Sequence, residues 1–198
     1  MIRTPQALIP YLLALAAVAA GILWQVGNQE SRPGTIQSQG IAAIGGAFSL
    51  IDQNGNLRRA DDFRGHFMLV YFGYSYCPDV CPTALAVMAD ALEKVPREDR
   101  ITPIFITIDP ERDSPKVLKT YLKAFGPRFV GLTGDSQSIA AAARAYRVYY
   151  KKHPLQGGGY AMDHSSVIYL MGPDGKFIAN YDAKIGVDAF KTALSEKL

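Results

Sequence analysis

Cysteine is nearly absent from this chain. Its 198 residues include two, Cys77 and Cys81, together with three histidines. A disulfide between them would close a very short loop. Such a loop removes little entropy from the unfolded chain, so a structural staple is a poor reason for the pair. The sequence also lacks a basic patch. Net charge is +3, and the lysines and arginines are spread out with no basic stripe interleaved with aromatics. That composition argues for no nucleic acid partner. No internal repeat is present, and the only low-complexity run is the glycine stretch Gly157–Gly159.

Charge is missing altogether between Thr4 and Gln29, and within that stretch Ala7–Val26 is predominantly apolar. Twenty such residues as a helix cover about 30 Å, the hydrocarbon thickness of a bilayer. Trp24 falls near the far end, as an interfacial aromatic does, and Arg3 with the free amino group lies on the near side. The expectation is one N-terminal transmembrane helix within residues 1–27, with the rest of the chain beyond the cytoplasmic face. The competing reading is a cleaved signal peptide, with Ala17-Val18-Ala19 as the small-residue site. Residues 28–45, rich in Gly, Ser and Gln, read as a flexible linker. Residues 46–198 are the expected folded domain.

Nearly half of all residues are apolar, enough for a sizeable core. Asn54-Gly55 between two short runs signals a hairpin. Phe67–Tyr74 is continuously apolar and aromatic, as in a strand buried on both faces, and Ile101–Asp109 is a second such strand. Leu85, Met88, Ala89 and Leu92 share one helical face between them. Ser114-Pro115 caps a further helix that Gly126-Pro127 stops, Val130–Leu132 reads as a short strand, and Ser136 or Ser138 opens a third helix. Ser165–Met171 and Lys176–Tyr181 form a second hairpin, and Gly186–Leu198 a last helix. Alternating strands and helices imply an α/β domain with a largely parallel sheet. The order matches a thioredoxin-like fold with an added N-terminal β-hairpin.

Both cysteines stand at the end of the first buried strand, where such sheets carry their sites. Each precedes a proline, which disfavours helical backbone, so both are expected outside the helix, with Cys81 at or next to its N-cap. Thiolates are stabilised at a helix N-terminus. Two uses remain open: disulfide exchange and metal binding. Exchange of the thioredoxin type uses two intervening residues, whereas three intervene here. It also uses a proline before the facing strand, and none occurs between Pro154 and Pro173. Ala161–Ser165 stands there instead, with His164 placed to face the thiols. Two thiolates and an imidazole in trigonal array suit copper. His66, beside a strand start, and His153, in a glycine-rich loop, have no comparable reason to approach. A peroxidatic cysteine motif is excluded at Val80–Thr83, because Pro78 occupies the position that motif gives to Thr or Ser.

The segments YFGYSYCPDVCP, FITIDPERDSP, GLTGD, YRVYYKK and MDHSSVIYLMGPDGKF, in that order, resemble the successive motifs of the Sco (SenC) family. The resemblance implies a membrane-anchored copper chaperone that takes up Cu(I) or Cu(II) and serves the dinuclear copper site of cytochrome c oxidase. Its metal ligands would be Cys77, Cys81 and His164. It further implies as partners the copper-bearing subunit of that oxidase, a copper donor and a thiol reductant, with the domain in the periplasm, tethered to the inner membrane. The alternative is a thiol-disulfide reductase that uses Cys77 and Cys81 to keep the target cysteines reduced. Gly157–Gly159 and Tyr76 depart from the family pattern, and Tyr76 is assigned no ligand role. Asp79 and Asp163 read either as turn and capping residues or as groups that orient the site. Asp109, Glu111, Arg112 and Asp113 read either as solvated loop charges or as a docking edge.

Overall fold

A computed structural model describes residues 44–96 and 98–198. The expected transmembrane helix, and all of the expected linker except its last two residues, lie outside the described residues. No helix among the described residues is long and apolar enough to cross a membrane. At the start of the described chain, the Gly45 N–H donates to the carbonyl of Ala145 at 2.9 Å.

One sheet organises the molecule. Its strands in chain order are β1 (Ser49–Asp52), β2 (Leu57–Arg59), β3 (Phe67–Gly73), β4 (Ile101–Thr107), β5 (Val130–Thr133), β8 (Val167–Met171) and β9 (Phe177–Asp182). They lie in the order β2-β1-β5-β4-β3-β8-β9. The central strands β3, β4 and β5 are parallel, and an antiparallel hairpin closes each edge. The sheet is therefore mixed, not largely parallel. The two expected hairpins fill the edges and leave a parallel core of three strands.

The thioredoxin-like character comes from the helices that join these strands and the one that follows the last of them. They are α1 (Val80–Leu92), α2 (Pro115–Leu122), α3 (Ser136–Ala145) and α4 (Val187–Ser195). The continuous apolar run of β3 has its cause here. Tyr71 packs near Phe105, which in turn meets Tyr121 of α2. Its neighbour Phe72 points the other way, onto Tyr146 and Tyr169. Both faces are covered, so both parities of the strand are apolar. Cap chemistry sets the helix starts. Ser114 Oγ accepts from the Val117 N–H at 3.4 Å with Pro115 in the first turn, and Asp135 Oδ1 accepts from the Ser138 N–H at 2.8 Å. The β1–β2 turn is held by Asp52, whose Oδ1 accepts from the Asn54 and Asn56 N–H groups, while Gly55 adopts φ +88°.

A third hairpin was not expected. β6 (Tyr150–Pro154) and β7 (Tyr160–His164) form a separate two-stranded sheet with His164 as its last residue. The Gly157–Gly159 run is its turn, and all three glycines have positive φ. The strands YKKHP and YAMDH lack alternating apolar residues, so the usual signal is missing.

Gly73 closes β3 directly beneath the cysteines. A Cβ there would lie 2.7 Å from Cys81 Sγ and 3.0 Å from the Phe105 ring, and both residues are fully buried. Gly73→Ala therefore overpacks a site that has no room to relax. A loss of about 1–3 kcal/mol in urea unfolding is expected, together with altered alkylation of Cys81. Unchanged stability would show that the sulfur is free to move away.

Candidate metal centre

The loop from Tyr74 to Asp79 joins β3 to α1, and it carries the first thiol. Cys77 N–H donates to the Tyr74 carbonyl at 3.2 Å, a tight turn that lays the sulfur against the start of the helix. The Cys81 N–H then points at Cys77 Sγ at 3.5 Å. Asp79 is the N-cap residue, so Cys81 sits in the first turn of α1 and not at its cap. The expectation that both cysteines lie outside the helix is corrected for Cys81. Pro82 is tolerated two residues into the helix because first-turn N–H groups have no intrahelical partner to lose.

Both cysteines are free thiols. Cys81 is fully buried, whereas Cys77 keeps slight exposure at 8%. The third residue arrives from β7. His164 Nε2 lies 3.4 Å from Cys81 Sγ, and the two sulfurs and a ring nitrogen of His164 all fall within 4.8 Å of one another. The Nδ1 atom of His164 is 3.0 Å from the Ser165 carbonyl, which can only accept. The ring proton therefore sits on Nδ1, and Nε2 turns its lone pair toward the sulfurs. The rings of Tyr71 and Tyr74 meet the imidazole edge-on at 6.2 and 5.9 Å and wall it in. Tyr71 also directs its hydroxyl at Cys81 Sγ, at 3.8 Å.

The two thiols titrate in opposite directions. The Cys77 thiol is pulled down to about 3, chiefly by a hydrogen bond from Cys81; burial opposes this, and the Asp79 and Cys81 N–H groups add to it. The Cys81 thiol is driven upward by the same hydrogen bond and by its burial. The pair thus holds one proton and one negative charge at neutral pH, at the N-terminus of a helix. Ligand atoms at about 2.0–2.3 Å from a central ion stand roughly 3.5–4 Å apart in a trigonal plane. A soft ion would draw the three groups together by about 1 Å at most from the spacing found here.

The other expected residues fall elsewhere. His66 is exposed at the opposite end of β3, and His153 Nε2 lies 2.6 Å from Asp163 Oδ2. Asp163 therefore serves the hairpin, and the Ser165 carbonyl orients His164. Asp79 accepts weakly from the Thr83 hydroxyl at 3.5 Å.

Of the charges in the Asp109–Asp113 stretch only Glu111 is exposed, so the reading of solvated loop charges is corrected for Asp109, Arg112 and Asp113. Asp109 is 2% exposed and Asp113 fully buried. Asp113 accepts from the Ser75 N–H at 3.0 Å, from the Ser75 hydroxyl, and from the Thr107 hydroxyl at 2.6 Å, which ties the cysteine loop to β4. Burial pushes the Asp113 carboxyl up, and those hydrogen bonds oppose the shift. Arg112 pairs with Asp109, donates to the Tyr160 carbonyl at 3.0 Å and lies 3.8 Å above the Tyr160 ring. Tyr160, which the sequence did not single out, donates its hydroxyl to Asp109 at 2.7 Å. The DPERD run, with Asp109 and Asp113 two and six residues past the end of β4, was the only available hint.

Comparison with known proteins agrees with this arrangement. The model of the SCO1/SenC family matches residues 36–197. The mitochondrial SCO2 homolog of Bos taurus is 41% identical over 184 residues, covering 86% of this chain and 68% of that protein. The mitochondrial SCO1 homolog 1 of Arabidopsis thaliana is 39% identical over 163 residues, covering 81% of this chain and about half of that protein, 49%. Among solved structures, Bradyrhizobium japonicum ScoI with copper bound is 43% identical, with a TM-score of 0.73, over 79% of this chain and all of that one. BsSco, described as having a disulfide switch and as a member of the Sco family of cytochrome c oxidase assembly proteins, is 26% identical, with a TM-score of 0.62, over 78% of this chain and 94% of that one. With a family model spanning most of its length and relatives near 40% identity, this chain belongs to the SCO1/SenC family.

Proposed function

We propose that this protein binds copper through Cys77, Cys81 and His164 and delivers it to the dinuclear copper site of cytochrome c oxidase during assembly. The convergence of exactly two thiols and one oriented imidazole nitrogen within 4.8 Å carries the reading. The likeness to a ScoI structure with copper bound supports the choice of metal, and the description of BsSco supports the oxidase as partner. Copper is cargo here. Thiolate and imidazole ligands retain Cu(I) while leaving a coordination position open to an incoming thiolate. Transfer then proceeds by exchange: a partner ligand adds to the ion as one of the three donors leaves. The slightly exposed Cys77 is the donor that a partner meets first, and Cys81, fully buried, is the last to let go. In this reading residues 1–27 anchor the protein, 28–45 are a tether, and the domain faces the periplasm. External protease should cut the domain in spheroplasts, and cleavage only after lysis would contradict that topology.

A second reading has its own observation. The thiolate of Cys77 beside the Cys81 thiol is poised to attack a disulfide, with Cys81 resolving the mixed intermediate. The protein would then reduce the cysteines of the oxidase site instead of, or before, loading them.

His164→Ala separates the two. It removes one of three donors, and a loss of at least about 10–100-fold in Cu(I) affinity is expected, since removing even a group that only orients a ligand costs that much. Dithiol exchange should change far less, because Cys77 keeps its hydrogen bond from Cys81 and its place at the helix N-terminus. Its low pKa also sets the pH dependence. The alkylation rate of Cys77 should stay nearly flat from pH 7 down to pH 5 and fall as pH approaches 3, whereas an ordinary thiol of pKa about 8.5 loses tenfold per unit throughout that range. Unchanged copper affinity with collapsed exchange in the mutant would reject the chaperone reading in favour of the reductase.

A further inference from the structure

His164 belongs to a hairpin that shares no ladder with the main sheet. Its register against the cysteines must therefore be fixed by other contacts. Met162 buries its side chain beneath β7, and Ser165 pairs with Tyr149, but that pair lies within the same connection and moves with it. The polar links from the hairpin to the sheet run to the loop after β4. They are Arg112 to the Tyr160 carbonyl, the Tyr160 hydroxyl to Asp109 and Glu111, and Lys152 to Glu111 at 2.7 Å. Lys152 and Glu111 are both exposed, so their pair holds little. Arg112 and Asp109 are shielded, with side-chain exposures of 22% and 2%.

Arg112 also reaches the other half of the site. Its guanidinium lies 5.6 Å from the ring centre of Tyr74 and 4.8 Å from that of Tyr76, the two tyrosines of the cysteine loop. One side chain thus touches the loop that carries Cys77 and the strand that carries His164. Its Nη2 finds no hydrogen-bond acceptor among the described residues. Asp113, on the same loop, fixes Ser75 of the cysteine segment.

We infer that Arg112 is a positioning residue: by clamping Tyr160 against Asp109 and the Tyr74–Tyr76 rings, it sets the reach of His164 to the two thiols. The inference rests on reading Cys77, Cys81 and His164 as the copper ligands, and it assigns Arg112 no contact with the ion. The planar fork is needed because the donors must reach Asp109 and a carbonyl together while the face stacks on Tyr160, which a lysine cannot do.

The test is anaerobic Cu(I) competition against a colorimetric chelator, using the reduced protein as wild type, Arg112→Ala, His164→Ala and the double mutant. Arg112→Ala should weaken binding about 10–100-fold. In the His164→Ala background the same change should cost little more, because a positioning residue has nothing left to position. Amide exchange of the metal-free protein should show β6 and β7 losing protection in Arg112→Ala while β3, β4 and β8 keep theirs. A folding defect alone would lower protection throughout and weaken copper equally in both backgrounds, which would overturn the inference. So would full affinity in Arg112→Ala when His164→Ala binds weakly. Full affinity in His164→Ala would instead remove the ligand reading itself. If Arg112→Ala does not fold, Arg112→Lys keeps the charge but not the fork, and the same coupled loss is expected.

Discussion

The site depends on a buried polar seam that runs beside the sheet rather than within it. His164 stands 83 residues from Cys81 in the chain, and no backbone ladder joins its hairpin to the strand that leads to the cysteines. Asp113 holds the thiol side of the gap through Ser75 and Thr107. Asp109 and Arg112 hold the imidazole side through Tyr160. Both acids come from one five-residue loop at the end of β4. In the parallel core that loop lies next to the end of β3, since Gly73 pairs with Thr107. The sheet places the loop, and the loop contacts both sides of the site.

Such an arrangement suits a group that must both hold an ion and release it. A sulfur locked into the core, Cys81, faces one that keeps only slight exposure, Cys77, and an imidazole on an appended hairpin. The hydrogen bond between the two thiols lowers the Cys77 thiol and raises that of Cys81. Metal binding and disulfide chemistry draw on one property, the stabilised thiolate, so they compete for the same two atoms.

Much of this was legible in the sequence, for identifiable reasons. The run at Phe67–Gly73 and the Asn54-Gly55 turn carry strong local signals, and the sheet's central and edge strands follow from them. His164 could be placed because the topology brings the segment before β8 to the end of β3. The failures were of a different kind. The strands β6 and β7 are made by pairing with each other, and residues such as Lys151, Lys152 and His153 announce no strand. Burial of Asp109 and Asp113 depends on partners as far away as Ser75 and Tyr160, so a charged stretch looked solvated. The proline rule misplaced Cys81 because it states a preference that a first-turn position can override.

The central claim is that one copper ion is held by these three side chains together. X-ray absorption at the copper edge of the reduced, Cu(I)-loaded protein tests it most directly. Two sulfur scatterers and one imidazole nitrogen are expected, with the nitrogen signal lost in His164→Ala. A wild-type spectrum showing only oxygen and nitrogen neighbours, or one unchanged by that substitution, would contradict it.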